Sequence, residues 1–489
     1  MAVLWIVLTP LLALPGILWL RRSPNLREAI SLIAAAGLLI QVVWLYQQTS
    51  FNVEHVTYDW VRLFGGLDIA FKVEPLSLLY ALVASFLWLI TTIYSIGYLR
   101  AHHEPHQTRF FCFFAISMAC VMGLAFSANL FTLFVFYEAL TLATFPLVTH
   151  TGTGEAKKAG RVYLGILFSA SILLFLLAIF MTYMTTGSID FVAGGLLTQV
   201  SPALSGLLLV LFVFGIGKAA LMPLHGWLPA AMVAPTPVSA LLHAVAVVKA
   251  GVFSILKISI YIFGFDALNE ASTLDLLIYT AGGTILIASL IAMRQDNLKA
   301  RLAYSTVGQL AYVTLGAMLA NKLSITGGSL HIAMHAFGKI TLFFCAGAIM
   351  VTAHKKKVSE LSGLGYQMPL TMTAFFIGCL SIIGLPPTGG LWSKWYLGLG
   401  SLEAGYWSML AVLMISSLLN IYYLLVIPAK AFFPAAPDTM GHASARPWVI
   451  KEAPLPCLVA MVITAAICIG LFFNPDLFYQ LALEFVSHG

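Results

Sequence analysis

Fourteen apolar stretches, mostly of about 20 residues, run along this chain with short polar joints between them. Their extents are 2–20, 29–47, 75–98, 110–127, 129–149, 162–185, 205–224, 238–263, 273–293, 302–320, 326–352, 369–400, 407–430 and 453–473. Each run is continuous and does not alternate with polar residues as barrel strands do. The pattern therefore predicts helices, since only helices and closed barrels satisfy their backbone within hydrocarbon. The expected fold is an all-α polytopic membrane protein of about fourteen spans. The opening segment MAVLWIVLTPLLALPGILWLRR lacks a basic start and a small-residue cleavage site, so it reads as a retained first helix.

Composition agrees. Hydrophobic residues make up 60% of the 489, and charged residues only 9%, against about 25% in soluble domains. The net charge of +6 comes with no basic stripe, so nucleic acid is not an expected partner. The charge does fix an orientation. Loops after odd-numbered spans hold 17 of the 25 basic residues, including Arg21, Arg22, Arg27, Lys355, Lys356, Lys357, Arg446 and Lys451. The opposite loops hold Arg62, Lys72 and Lys322. The basic side is cytoplasmic by this rule, which places both termini outside a cell (inner) membrane.

Two spans are interrupted. The seventh runs through GIGKAALMPLHGWLP and the twelfth through GLPPTGGLWSK. Proline removes a backbone donor, and freed backbone groups survive at membrane depth only where protein or a wet cavity satisfies them. Paired broken spans mark internal repeats in transporters. Spans four to eight and nine to thirteen then form two five-helix units, and the odd number of crossings inverts the second. The implied organisation is residues 1–107 as an N-terminal three-helix segment, 108–268 and 269–432 as the repeats, and 433–489 as a C-terminal helix.

Within these segments lie groups that cost several kcal/mol to hold in hydrocarbon. Glu138 stands mid-span, and its natural partner is Lys218 beside the break in span seven. Such a pair either orders helices or holds a lysine proton that can later leave. His243 and Lys249 are six residues apart on span eight, about 120° around a regular helix, so they do not share a face. His243, nearer the cytoplasmic end, suits an uptake path or a satisfied core position. Lys257, toward the outer end, reads equally well as a snorkelling residue and is left out of the set. In HIAMHAFGK, residues His331, His335 and Lys339 follow at i, i+4 and i+8. They form a polar ladder about 12 Å tall, suited to a proton wire or to a helix–helix seam. Lys394 follows the second break and suits the outer end of a path.

The six cysteines are scattered through apolar spans, with no C-x-x-C pair, and read as small buried hydrophobes. No phosphate loop, flavin fingerprint or cluster-ligating motif is present. No cofactor and no metal are expected, and the driving energy must come from an ion gradient or a partner.

Taken in order, FYEALTL, FGIGKAALMPLHGWLP, APTPVSALLHAVAVVKAG, HIAMHAFGK and GLPPTGGLWSK resemble the antiporter-like subunits shared by Mrp-type cation/proton antiporters, respiratory complex I and membrane-bound group 4 hydrogenases. The resemblance covers about spans three to thirteen. It implies inverted five-helix repeats with broken helices 7 and 12. It also implies a Glu138–Lys218 pair, proton relay by Lys249, His331 and His335, and an exit-side lysine at Lys394. The expected partners are other membrane subunits of a hetero-oligomeric complex, protons, Na+ or K+, and the lipid bilayer. By elimination the chain looks most like the Mrp D-type subunit. A redox-driven pump subunit, and a transport-inactive scaffold for a soluble enzyme, are the alternatives.

Overall fold

The computed structural model describes residues 2–49, 58–62, 67–433 and 449–488; Arg446, one of the basic loop residues, lies outside them. Among the described residues eleven helices are long and apolar enough to cross a membrane. They are α1 (Ala2–Trp19), α2 (Pro24–Gln48), α3 (Pro75–Ala101), α4 (Gln107–Ala125), α5 (Leu130–Val148), α6 (Gly154–Thr186), α8 (Thr236–Glu270), α9 (Leu274–Arg294), α11 (Lys322–Ala353), α13 (Trp407–Phe432) and α14 (Leu455–Phe473). Two shorter apolar helices, α7 (Pro202–Gly215) and α12a (Pro369–Ile383), are first halves of the interrupted spans. The twelfth resumes as α12b (Gly390–Glu403). With α10 (Leu298–Met318) the described residues make fourteen crossings. α10 is less apolar because it is interior: Ser305, Thr306, Gln309 and Thr314 are all buried in protein.

Burial follows position in the bundle. Almost every residue of α11 is buried, and Asn321 and Ser324 close its first turn with a capping box. α1, α2, α6 and α13 instead expose Trp19, Ile33, Leu173 and Leu418. In a bilayer those side chains meet lipid.

Both breaks are where the prolines and glycines place them. After α7 the chain makes a single tight turn at Gly217–Ala219, and Ala220 takes a left-handed conformation. After α12a, Gly384 is left-handed, and the chain passes through Pro386 and Pro387 into α12b. Both breaks lie against another backbone. A Cβ on Gly251 of α8 would stand 2.3 Å from the amide nitrogen of Ala219, and one on Gly390 would stand 1.8 Å from the carbonyl oxygen of Ser381. Only glycine allows these approaches.

Three features depart from the sequence reading. α8 is not a regular helix: it loosens into π-helical turns at Leu241–Val245 and Ser259–Phe263. The Tyr80 hydroxyl stands 3.1 and 3.0 Å from the carbonyl oxygens of Val245 and Ala246. The 120° separation of His243 and Lys249 therefore does not apply, since a π turn lies between them. Strands β1 (Tyr58–Arg62) and β2 (Asp68–Phe71) pair as an antiparallel hairpin. Last, α14 is followed by α15 (Asp476–Val486), which packs on α3 and α11.

Candidate functional site

A series of buried basic groups runs through the interior from the first break to the second. At the first, Lys218 is wholly buried. Its Nζ donates to the Tyr137 carbonyl oxygen at 2.7 Å and to Thr141 Oγ1 at 2.6 Å, and lies 3.1 Å from the centroid of the Tyr137 ring. Tyr137 and Thr141 are one turn apart on α5, so a single helix face cradles the ammonium. The Lys218 amide donates to the Tyr137 hydroxyl at 3.0 Å, and Trp227 Nε1 donates to the Gly217 carbonyl at 3.0 Å. Backbone groups released by the break are thus satisfied by protein.

The expected direct contact between Glu138 and Lys218 is absent among the described ion pairs. Glu138 is one residue on from Tyr137, about 100° around α5. Its carboxylate oxygens are buried without a hydrogen-bond partner. The two groups remain within electrostatic reach, but the ammonium is held by a carbonyl, a hydroxyl and an aromatic face.

Lys249, wholly buried on α8, meets α11 directly: its Nζ lies 2.7 Å from His335 Nδ1. The His335 and His331 rings stack with centroids 5.6 Å apart, and Tyr312 of α10 stacks on His331 at 5.6 Å. His331 Nδ1 lies 2.8 Å from Ser393 Oγ. Lys394 folds back from α12b, its Nζ donating to the Ile383 carbonyl at 2.9 Å and Ser417 Oγ at 3.3 Å, and it lies 4.9 Å from the Tyr312 ring centroid. The Ile383 carbonyl ends a helix, where an unsatisfied acceptor favours a cation.

The third rung of the ladder turns aside. Lys339 donates to Ser305 Oγ of α10 at 2.8 Å. His243 packs with its ring tilted against Phe343, centroids 4.8 Å apart, with neither ring nitrogen hydrogen-bonded, and is within electrostatic reach of Lys339 and Lys299. Lys299 lines a cavity of about 570 Å³ on the face of the basic loops, with Glu104, His102 and Lys356. There His102 Nδ1 lies 3.2 Å from a Glu104 carboxylate oxygen. Burial pushes the Glu104 carboxyl above its ordinary value, against the opposing pull of His102.

The structure thus joins Lys249, His335, His331 and, through Ser393 and Tyr312, Lys394. It places Lys339 and His243 on a branch toward the basic-loop face. The sequence reading passed over Tyr137, Thr141, Tyr312, Ser305, Ser393 and Ser417, all neutral groups in apolar runs. It left Lys257 open between snorkelling and function; the residue is wholly buried and lies 2.8 Å from Glu74 Oε2.

Residues 127–420 match the family profile described as NADH:quinone oxidoreductase/Mrp antiporter, TM. Residues 60–111 match that of NADH-Ubiquinone oxidoreductase (complex I), chain 5 N-terminus. The chain belongs to the NADH:quinone oxidoreductase/Mrp antiporter family. It is 35% identical over 452 residues to NADH-quinone oxidoreductase subunit N of Desulforudis audaxviator (strain MP104C), covering 90% of this chain and 88% of the relative. It is 32% identical to NAD(P)H-quinone oxidoreductase chain 5 of a Picosynechococcus species, of which it spans 50%. Two solved assemblies contain chains of the same fold at 22% identity. One is the membrane-bound sulfane sulfur reductase, an archaeal respiratory membrane complex (TM-score 0.86, 99% of this chain and 97% of that one). The other is the Mrp complex of Dietzia sp. (TM-score 0.83, 99% and 96%). The family's antiporter-like subunits are multi-pass membrane proteins, as this chain is.

Proposed function

We propose that this chain is a proton-conducting subunit of a multisubunit membrane complex. The contact between Lys249 Nζ and His335 Nδ1 carries the reading. An amine against an imidazole nitrogen, both buried in protein, is costly as architecture when charged and suits proton exchange. Lys218 takes a proton from the cytoplasmic side and passes it through water to Lys249. His335 and His331 relay it, and Lys394 releases it at the far side, or the steps run in reverse. Lys339 and His243 connect the relay to the cytoplasmic cavity at Lys299. Glu138 acts on Lys218 through space, biasing its charge without holding it.

An organisation as two inverted repeats, 108–268 and 269–432, belongs to this reading. Tyr137 on α5 and Tyr312 on α10 occupy corresponding helices, as do Lys218 and Lys394. In both halves the ammonium lies near that tyrosine ring and donates to one carbonyl and one hydroxyl.

The complex is a Mrp-type monovalent cation/proton antiporter, with this chain as its D-type subunit. The full-length fold is shared with a chain of the Mrp complex, which fits that assignment, and equally with a chain of an archaeal respiratory complex. The near full-length relation to a quinone oxidoreductase subunit N supports the second reading, a redox-driven proton pump. Both termini lie outside the inner membrane, opposite the basic loops. Proton flux of the intact complex in proteoliposomes, with and without an imposed Na+ gradient, tests both levels. Lys218→Ala is expected to abolish flux, and unchanged flux would leave a scaffold. Dependence on Na+ selects the antiporter; dependence on a quinone and an electron donor selects the pump.

A further inference from the structure

Lys257 belongs to none of these steps, yet it is buried as completely as Lys218. Its ammonium donates to the Ser127 carbonyl at 2.6 Å and pairs with Glu74 at 2.8 Å. Glu74 is wholly buried at the N-cap of α3, yet its side chain makes no cap hydrogen bond. Its other oxygen lies 3.4 Å from Lys72 Nζ. One carboxylate therefore bridges two ammonium groups, one sealed in protein and one reaching outward. Lys72 lines a cavity of about 500 Å³ on the face opposite the basic loops, with Asp59, Asp68, Asn129, Ser188 and Asp190.

The inner end of this triad points to the relay. Ser77 is one turn further into the membrane on α3; its hydroxyl is fully buried and without a protein partner. Tyr80, another turn on, places its hydroxyl 3.1 Å from the Val245 carbonyl oxygen and 3.0 Å from that of Ala246, where the π turn of α8 ends. Those carbonyls immediately precede the helical segment carrying Lys249. Lys257 and Lys249 themselves lie eight residues apart on α8, about 12 Å along its axis. A purely architectural pair would not need a second lysine at its mouth, nor a polar trail behind it.

We propose that Lys257, Glu74 and Lys72 form a second proton port, opening the first repeat directly to the outer face. The proposal rests on the proton-conducting reading above. Lys72 gives its proton to the acidic cavity. Lys257 then gives one to the Glu74 carboxylate, leaving an amine and a carboxylic acid. Glu74 passes that proton to the neutral Lys72 amine, and Lys257 is recharged from Lys249 by way of water and the Ser77 and Tyr80 hydroxyls, which each accept one proton as they give another, while the relay reloads Lys249. Each transfer breaks one N–H or O–H bond and forms another, with no charge left behind.

The test is proton flux in proteoliposomes of the intact complex. Glu74→Gln is expected to lower flux roughly tenfold or more and to flatten its dependence on pH at the outer face. The titratable groups facing Glu74 are Lys72, Lys257 and Tyr261. Lys72→Cys carries the test should Glu74→Gln fail to assemble. All six native cysteines of this chain are buried, so the new thiol is its accessible one, and the complex without Lys72→Cys is treated in parallel to account for the other subunits. An aminoethyl thiosulfonate restores a titratable amine, whereas its trimethylammonium analogue adds a fixed charge. The port predicts rescue by the first only. Equal rescue by both, or wild-type flux in Glu74→Gln and Lys72→Cys, overturns it. Wild-type flux in Lys218→Ala would instead overturn the proton-conducting reading itself.

Discussion

The residues that hold the lysines matter as much as the lysines. Thr141 gives Lys218 a hydroxyl acceptor in a fully buried site, and a hydrogen bond to a charged donor is worth about 1.5–3 kcal/mol. Thr141→Val keeps the shape and removes the acceptor. Proton flux of the intact complex should fall sharply, while Thr141→Ser keeps it. Equal flux in both would show that the Tyr137 carbonyl and ring suffice. None of this was legible in FYEALTL, where only Glu138 stands out by its charge. A threonine or tyrosine in an apolar run carries no mark of what its hydroxyl meets, because its own helix can satisfy it. Thr141 does both: its hydroxyl donates to the Tyr137 carbonyl at 3.2 Å and accepts from Lys218. Charge was a reliable guide to depth and a poor guide to partner. It singled out Lys218, Lys249, His331 and His335, all buried, yet it paired Glu138 with a lysine that other groups hold. It left Lys257 open between snorkelling and function, when Glu74, 183 positions earlier in the chain, pairs with it in the interior.

At the scale of elements, regular helices were plain and irregular ones only partly so. Length and apolarity gave the crossings, and prolines beside glycines gave both breaks. The π turns of α8 have no such signature: the sequence around His243 reads as an ordinary helix, and nothing in it marks the Tyr80 hydroxyl of α3 that lies against the Val245 and Ala246 carbonyls where the first turn ends. The hairpin and α15 fall below membrane length and escaped for that reason. What holds the first break in place is contact with α8 at Gly251. A Cβ there would meet Ala219 nitrogen at 2.3 Å and the Lys218 carbonyl carbon at 2.4 Å, and these are backbone atoms that cannot rotate away. Gly251→Ala should therefore cost about 1–3 kcal/mol through overpacking and displace Lys218 from its cradle. Gly283→Ala on α9, where a Cβ meets nothing within 4 Å, is the matched control and should be neutral or slightly stabilising. Thermal unfolding in detergent separates the two, and flux should fall only in the first.

For the whole molecule, the arrangement of cavities and charges defines two faces. The cavity at Lys299, Lys355 and Lys356 opens among the basic loops, and the acidic cavity at Lys72 opens at the other end of the bundle. A proton path between them needs this polarity, because the uptake and release ends differ in the charges that surround them. The positive-inside rule assigns the basic face to the cytoplasm, and that assignment sets the direction of every step proposed above. It can be checked without measuring transport. Lys356 and Ser201 are exposed on opposite faces, and a cysteine at either would stand against a background of six buried native thiols. Lys356→Cys should react with a membrane-impermeant maleimide only in inside-out vesicles, and Ser201→Cys only in intact spheroplasts. The opposite pattern would reverse the orientation. Lys394 and the Lys72 port would then become uptake sites, and the cavity at Lys299 the point of release.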